Sequence, residues 1–387
     1  MKKILLFAIS FTMISFGVSQ DFTTKWGNGY KLTSSDGEHS LKFGGRIMYD
    51  YATWNNNDTT YSGTEFRRVR FFNSGKVYGN IKYKLQLDFA GGDVSFKDVY
   101  IEMPLPYVGN LKVGHFKEPF RLEALTSSKY MTFMERGLPI AFSPERNVGF
   151  MLHDSFMDDK LSIQAGLFRE AEKESPGDDT KIDDVRNMTA RLTFLPINDG
   201  EKLLHLGAGF SSRNTSNQKY SISTRPENHL GTKLLDMELT DVTGMNLMGA
   251  EMAFVMGSFS VQGEYVMNNV EAIEDYSFSG YYGQVSYFLT GEKRKYKNSL
   301  AGFDRVKPNN NMKEGEGWGA LELAARYSSM DLSEAHAGIL NDITIGLNWY
   351  LNPCTRVMFN YVMGTMEDHH GEETTENTFQ CRMQIDF

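Results

Sequence analysis

The stretch IKYKLQLDF, residues 81–89, alternates between two kinds of side chain without exception. Its odd positions carry large apolar residues, and its even positions carry lysine, glutamine or aspartate. Because successive side chains of a β-strand point to opposite faces, this spacing predicts a strand with one apolar and one hydrated face. The apolar positions are Ile81, Tyr83, Leu85, Leu87 and Phe89, and the polar positions are Lys82, Lys84, Gln86 and Asp88.

The same alternation recurs along the chain, for example in LKFGGRIMYDY (41–51), LELAARY (321–327) and TFQCRMQIDF (378–387). A soluble β-sandwich alternates in a similar way, but it seldom repeats the pattern so many times in one domain. The chain contains about sixteen such segments, and this number of strands is typical of a medium porin-type barrel. We therefore predict an all-β fold, a transmembrane antiparallel β-barrel whose apolar faces contact outer-membrane lipid and whose polar faces line a lumen.

The N-terminus, MKKILLFAISFTMISFGVSQ, combines two lysines, an apolar run and small residues before Gln20. This composition predicts a secretory signal peptide over residues 1–19. Residues 20–40 are then an N-terminal segment and residues 41–387 the barrel domain, in the outer membrane of a Gram-negative bacterium. The two cysteines, Cys354 and Cys381, fall at different heights on the last two predicted strands, so we expect no disulfide between them.

The segment FRRVRFFNSG (66–75) places three arginines among apolar residues. With Val69 and Phe71 facing lipid, the alternation directs Arg68 and Arg70 into a water-filled lumen, where a guanidinium stays hydrated. Arg67 shares the parity of Val69, so the alternation predicts that it faces outward at the level of the lipid headgroups.

The formal net charge of −9 argues against anionic ligands, but the distribution of charge argues for them. Acidic residues concentrate in three predicted external loops, at 169–186, 268–277 and 366–376. Basic residues recur at lumen-facing strand positions: Lys42, Arg46, Arg68, Arg70, Lys82, Lys84, Arg191, Arg326, Arg356 and Arg382. A low-dielectric wall lined with one sign of charge focuses its field along a channel. Alternatively, these cations pair with lumen carboxylates such as Asp50 and Asp88 and only keep the lumen hydrated.

Two long connections differ from ordinary solvated loops. The connection from Lys117 to Arg146 follows the fifth predicted strand and is rich in large apolar residues, so we expect it to fold into the lumen as a constriction loop. The connection from Gly291 to Gly317 falls on the periplasmic side, where turns should be short. Either a strand pair lies hidden there, or this turn also tucks into the barrel and adds basic residues to its lower mouth. The second possibility is favoured.

The phrases FRRVRF, FKDVYIE, LKVGHFKEPFRLEALTSSKYMTFMERGLP, ERNVGF and GFDRVKP occur in that order in this chain. In this order they closely resemble the phosphate-selective porin O and P family, from about Leu41 to Phe387. The resemblance implies a sixteen-stranded outer-membrane barrel, usually a homotrimer, that passively admits phosphate, polyphosphate-type or other small anions. It also implies that outer-membrane assembly machinery reads the C-terminal strand ending at Phe387.

The resemblance also suggests where the anion path lies. The FRR motif makes Arg67 and Arg68 candidates, which requires Arg67 to turn inward against its parity. Lys129 in TSSKY and Arg136 in MER are the constriction candidates, and Asp98 in FKDVY would reject or orient the anion. Together with the other lumen-facing arginines, the predicted anion-path residues are Arg46, Arg67, Arg68, Arg70, Asp98, Lys129 and Arg136.

Such a resemblance does not determine the substrate, because one barrel fold serves many solutes. A general small-solute porin without phosphate selectivity and a structural or adhesive barrel with a closed lumen are the alternatives. An enzyme is not expected, since the histidines belong to no hydrolase motif. The loop EDHHGEE (367–373) has metal-ligand types without a defined spacing. No catalytic residue, metal, cofactor or nucleic-acid partner is therefore predicted.

Overall fold

A computed structural model describes residues 21–27, 29–56, 59–171, 187–215, 218–313 and 316–387, so the predicted signal peptide lies outside the described residues. Within them the chain forms twenty-two strands and a few short helical turns. The strands are β1 (Phe22–Trp26), β2 (Tyr30–Ser34), β3 (Ser40–Asn56), β4 (Thr59–Val77), β5 (Ile81–Asp88), β6 (Ser95–Leu105), β7 (Gly109–Lys117), β8 (Arg146–Phe156), β9 (Leu161–Arg169), β10 (Asn187–Asn198), β11 (Lys202–Asn214), β12 (Lys219–Thr224), β13 (Leu235–Thr240), β14 (Gly244–Met256), β15 (Phe259–Glu271), β16 (Tyr276–Phe288), β17 (Lys295–Lys297), β18 (Gly302–Asp304), β19 (Ala320–Asp331), β20 (Ile339–Asn352), β21 (Thr355–Glu367) and β22 (Glu373–Asp386). The helical turns are α1 (Leu122–Leu125) and the 3-10 segments Leu138–Phe142, Asn298–Leu300 and Ser333–Ala335. None of the helices in the described chain is long and apolar enough to cross a membrane.

Sixteen of the described strands close into one antiparallel barrel. They are β3 to β11, β14 to β16 and β19 to β22. The last strand, β22, pairs with β3 in a register that sets Arg382 opposite Asp50, and this pairing closes the sheet. β11 pairs directly with β14 and β16 with β19, so the hairpins β12–β13 and β17–β18 stand apart from the wall. The predicted fold class is confirmed.

The barrel wall has an apolar outside and a polar inside, as the alternation predicts. Phe71 and Leu85 expose 44% and 43% of their surface on the outside, whereas Gln86 and Asp88, which point into the lumen, expose 2% and 5%. Closure pairs the backbone groups of the wall strand to strand, and lipid can then cover the apolar face without meeting an open sheet edge. The outer surface is therefore suited to hydrocarbon and the inner surface to water and charge.

Connections of unequal length define the two rims of the barrel. The lower rim carries short turns at 78–80, 106–108, 157–160, 199–201, 257–258 and 353–354. The upper rim carries the two longest fully or largely described connections, 118–145 and 215–243. One long connection, 289–319, lies at the lower rim and holds the β17–β18 hairpin. β16 and β19, the strands on either side of this connection, pair directly, so no further pair of wall strands lies within it. Of the two possibilities that the sequence offered, the turn that tucks into the barrel describes this segment.

Three segments fill much of the lumen. We call residues 118–145 the inner loop, residues 218–242 the crossbar, and residues 291–317 the lower tuck. The inner loop and the crossbar build an apolar core against β14, β15 and β16, with Phe120, Leu138, Ile222, Leu235 and Met237 buried in it. One half of the barrel interior is thus packed like the core of a soluble domain, and the predicted inward fold of the Lys117–Arg146 connection is confirmed.

The N-terminal segment adds structure that the alternation did not indicate. β1 and β2 form a hairpin, and β2 pairs with the lower end of β3 through Tyr30 opposite Phe43. The hairpin extends the sheet below the level at which β22 ends. Shared register places Tyr30 on the outer face with Phe43, which stacks on Phe71 at a centroid distance of 6.1 Å.

The two cysteines are not joined by a disulfide, as predicted. Cys354 lies in the turn between β20 and β21, and Cys381 lies on β22 opposite Phe359 and Tyr51.

Candidate functional site

A cavity of about 1050 Å³ occupies the half of the lumen that the apolar core leaves open. Its walls are mainly the inner faces of β3 to β9, the inner loop and the crossbar, with further lining residues from β11, β14, β15 and the lower tuck. Among described residues, thirteen lysines and arginines line it against five carboxylates. The basic residues are Arg46, Arg67, Arg68, Arg70, Lys84, Lys97, Lys112, Lys117, Arg136, Arg146, Arg213, Lys219 and Arg225. A chain of net charge −9 therefore encloses a basic cavity.

Arg67 turns into this cavity, so the sequence prediction that it faces the lipid headgroups is wrong. The register between β3 and β4 shifts by one residue at Met48 and Tyr49, which lie opposite Arg68 and Phe66. Arg67 is the extra residue of a β-bulge, and a bulge interrupts the alternation and re-aims side chains. Its guanidinium donates two hydrogen bonds of 2.9 Å to the carboxylate of Glu135 on the inner loop. The inward position implied by the family resemblance is the observed one.

A second bulge lies in the same cavity wall, between β5 and β6. Leu85 pairs with Val99 but Leu87 pairs with Phe96, so Lys97 and Asp98 together face Gln86. Lys97 lines the cavity although its parity matches the outward Val99. The two bulges therefore bring consecutive charged residues, Arg67 with Arg68 and Lys97 with Asp98, to one side of the wall.

Asp98 is held by two cations of the cavity. Lys84 donates to it at 2.5 Å and Arg146 at 2.7 Å. Arg146 lies opposite Lys117 where β7 and β8 converge, because the two ends of the inner loop belong to neighbouring strands. The sequence analysis named Lys117 and Arg146 only as the ends of a loop. Because the two ends of a loop between paired strands lie side by side, both residues could have been predicted to share the site.

Arg70 and Arg68 confirm the lumen prediction and differ in how they are paired. Arg70 donates to Asp88 at 2.6 Å. Arg68 lies 4.0 Å from Glu135 and contacts the Met48 sulfur at 3.8 Å. Arg68 therefore keeps most of its donor capacity for another acceptor.

Five cavity cations, Arg46, Lys97, Lys117, Arg136 and Arg225, form no ion pair with a carboxylate of the described chain. Arg46 donates to the hydroxyls of Ser127 and Ser128 at 3.4 and 2.7 Å. Arg136 donates to the carbonyl oxygens of Glu123 and Thr126 at 2.9 and 3.0 Å, and Lys117 donates to that of Ala124. These backbone contacts hold the α1 turn of the inner loop in place and leave the positive charges uncompensated.

Glu135 is the acceptor that anchors the inner loop to this wall. Burial alone would raise the pKa of its carboxyl group, but Arg67, Arg68 and Arg382 hold that pKa well below its usual range. Glu135 is therefore ionised, and it offsets part of the charge of Arg67 where the loop meets β4.

Lys129 lies apart from the large cavity. It faces a small space of about 10 Å³ near the lower rim, donates to Asp386 at 3.2 Å and lies over the Tyr130 ring. Burial, together with Arg46 and Arg305, lowers the pKa of its ammonium group to about 8 against the opposing effect of Asp386. Arg305 of the lower tuck binds the same Asp386 carboxylate, with one contact of 2.9 Å. Lys129 thus joins the inner loop to the last strand.

Other lumen arginines are structural, as the alternative interpretation of the sequence anticipated. Arg191 pairs with Glu251 at 2.6 Å, and Arg382 donates to Asp50 at 2.7 and 2.6 Å. Arg326 bridges Glu227 of the crossbar and Glu123 of the inner loop, the latter at 3.2 Å. Each of these arginines is nearly fully buried and paired, so it holds the lumen structure together rather than offering its charge to the open cavity.

The sequence from residue 41 to residue 387 matches the model of a protein family described as phosphate-selective porin O and P. The chain belongs to this family. It is therefore an outer-membrane porin, a channel and not an enzyme. Long connections mark the external side of outer-membrane barrels, so the upper rim faces the exterior and the lower rim faces the periplasm.

The porin is similar to several known proteins over most of its length. It is 27% identical to Porin O of Pseudomonas aeruginosa over 430 aligned residues, which cover 95% of this chain and 93% of that protein. Its fold matches an anion-selective porin from Comamonas acidovorans with a TM-score of 0.55 at 12% identity, over 90% of this chain and 100% of that one. It also matches the trimer form of OmpT of Vibrio cholerae with a TM-score of 0.53 at 12% identity, over 90% and 99% of the two chains.

Proposed function

We propose that this porin conducts small anions, foremost phosphate or polyphosphate-type anions, through the cavity beside β3 to β9. The observation that carries the proposal is the set of five cavity cations, Arg46, Lys97, Lys117, Arg136 and Arg225, which form no ion pair with a carboxylate in the described chain. Uncompensated charges in a partly desolvated cavity attract anions more strongly than exposed charges in water do.

An anion would cross by exchanging hydration water for hydrogen bonds to successive side chains. Guanidinium groups bind phosphate oxygens in a planar, two-pronged geometry, which suits Arg67 and Arg68 side by side at the bulge. Arg46 and Arg136 would contribute the next donors along the inner loop. Asp98 would offset two further cations, so that no single position binds the anion too tightly for it to leave.

The names of similar proteins support an anionic substrate over a neutral one, since one is Porin O and another is an anion-selective porin. The alternative of a general small-solute porin predicts weak ionic selectivity. A structural barrel predicts a closed lumen, and the cavity of about 1050 Å³ argues against it.

Assembly in the cell follows from the same family membership. We propose that residues 1–19 are removed on export, that residues 41–387 insert as the barrel, and that three copies associate as a homotrimer. The trimer form of the similar OmpT supports this assembly. The terminal Phe387 exchanges backbone hydrogen bonds with Gly45 at the β3–β22 seam, at 2.7 and 3.2 Å. This position suits a C-terminal signal that assembly machinery reads as the barrel closes.

Single-channel recording in a planar bilayer tests the proposal. We expect the reversal potential under a potassium chloride gradient to indicate anion selectivity, and phosphate to block the chloride current. Arg68→Ala should raise the half-blocking phosphate concentration by roughly ten- to a hundredfold, because a charge-assisted hydrogen bond contributes about 1.5–3 kcal/mol.

Lys313→Ala is the matched control, since Lys313 is exposed in the lower tuck and its one ion pair among the described residues is with the neighbouring exposed Glu316. It should leave selectivity and block unchanged. Cation selectivity of the unmodified porin, or block by phosphate that is insensitive to Arg68→Ala, would contradict an anion path along this wall.

A further inference from the structure

Glu145, the last residue of the inner loop, lines the cavity among its cations. Its side chain is 47% exposed although it lies inside the barrel, because it faces the open cavity. Its nearest cationic atom is a terminal nitrogen of Arg146 at 3.7 Å. In the described chain no hydrogen bond holds its carboxylate, whereas its backbone oxygen accepts from the Glu118 amide at 3.2 Å.

Each of the other cavity carboxylates accepts at least one hydrogen bond from a cation. Asp98 accepts from two cations within 2.7 Å, and Glu135 receives two hydrogen bonds of 2.9 Å from Arg67. Glu170 accepts a hydrogen bond from Arg213 at 3.1 Å, and the buried Glu227 accepts one from Arg326 at 2.9 Å. Glu145 differs from these four carboxylates. Its backbone oxygen is hydrogen-bonded, but in the described chain its carboxylate accepts no hydrogen bond and can rotate toward different cations.

The carboxyl group of Glu145 is ionised throughout the physiological pH range. The position of Glu145 inside the barrel, with less water around it than at an outer surface, would raise the pKa of its carboxyl group, but Lys117, Arg136, Arg146 and Arg68 lower it to about 2. The same cations therefore surround a permanently ionised carboxylate, and they include two that lack any carboxylate partner within hydrogen-bonding distance.

We propose that Glu145 is a tethered competitor, a carboxylate of the channel itself that binds the path cations in turn and is displaced by each passing anion. The proposal rests on the proposed anion conduction and deepens it. An anion that enters competes with Glu145 for the surrounding cations, of which Arg146 lies 3.7 Å from its carboxylate, and Glu145 returns to them when the anion leaves. Glu145 thus lowers the affinity of the path for anions and shortens their residence, which is what conduction through a strongly basic cavity requires.

The test measures phosphate block of single-channel chloride current in Glu145→Gln, which keeps the shape of the side chain and removes its charge. We expect the half-blocking phosphate concentration to fall by roughly five- to tenfold, with longer blocked times, because one negative charge about 5 Å from the anion is removed. Glu145→Asp keeps the charge and should stay near the unmodified porin. Glu274→Gln removes a charge in the exposed upper-rim connection 272–275, and it controls for net charge.

The outcomes separate this inference from the proposed function. If the unmodified porin is not anion-selective, the proposed function fails and takes the inference with it. If the porin is anion-selective but Glu145→Gln and Glu274→Gln change the block equally or not at all, the tethered competitor is overturned while anion conduction stands. Heat-modifiable migration in denaturing gels shows that each variant is folded, and Glu145→Ser provides a second neutral variant with the same expected direction.

Discussion

The buried carboxylate of Glu227 is the central contact at the tip of the crossbar, beside hydrogen bonds of crossbar backbone amides to Asp342 and Glu376, and removing it should loosen the hairpin. Glu227 accepts hydrogen bonds of 2.6 Å from Ser328 and Thr344 and pairs with Arg326. It is 4% exposed. The crossbar connects β11 to β14 in the chain, and its tip contacts β19 and β20 on another part of the wall. The Glu227 contact therefore holds the hairpin across the external mouth of the barrel.

In Glu227→Ala the Arg326 guanidinium keeps only Glu123 at 3.2 Å and the Glu135 carbonyl oxygen at 2.9 Å. Breaking a buried ion pair by removing one partner costs about 3–5 kcal/mol. We expect docking of the crossbar to weaken by that amount, which is roughly a hundred- to a thousandfold or more in its equilibrium constant. The sixteen-stranded wall does not depend on this contact and should remain closed.

Trypsin provides the assay, because Arg225 and Lys233 flank the anchored tip. Folded Glu227→Ala porin should be cut within the crossbar at least about tenfold faster than the unmodified porin, since cleavage tracks the undocked population. Its single-channel current should also become noisier. Glu238→Ala is the control, because Glu238 lies on the same hairpin in an exposed pair with Lys219. Equal resistance of Glu227→Ala and Glu238→Ala to trypsin would refute the anchoring role of Glu227.

Asp98→Asn frees the two cations that Asp98 holds, so phosphate should block at a concentration several-fold lower, and an unchanged block would mean that these cations do not face the anion. Lys129→Ala should leave phosphate block within about twofold of the unmodified porin, because Lys129 faces Asp386 outside the large cavity; a loss comparable with that of Arg68→Ala would return Lys129 to the anion path. Gly45→Val should lower the temperature at which the barrel unfolds in a heat-modifiability gel, since even a Cβ there would lie 2.7 Å from the Phe387 ring, and an unaltered temperature would mean that the seam can relax.

The architecture was accessible from the sequence because strand alternation is a local property. A residue and the residue two positions away share a face whatever the rest of the chain does, so IKYKLQLDF already separates lipid from lumen. The inward folding of the inner loop was also accessible, since Phe120, Leu138 and the other apolar residues of that segment need a dry environment that only the interior offers.

The sequence by itself therefore determined the barrel, its polar lining and the presence of segments inside it. Only the tertiary structure decided which lumen charges are available. Arg67 and Lys97 face inward because a neighbouring strand has one residue fewer at that level, and no local pattern contains this information. Arg382 and Arg326 are neutralised by carboxylates far away in the chain, Asp50 and Glu227, whereas Arg46 meets only hydroxyls. Charge compensation depends on distances across a folded lumen, and such distances arise only when the barrel closes around its inner loop and crossbar.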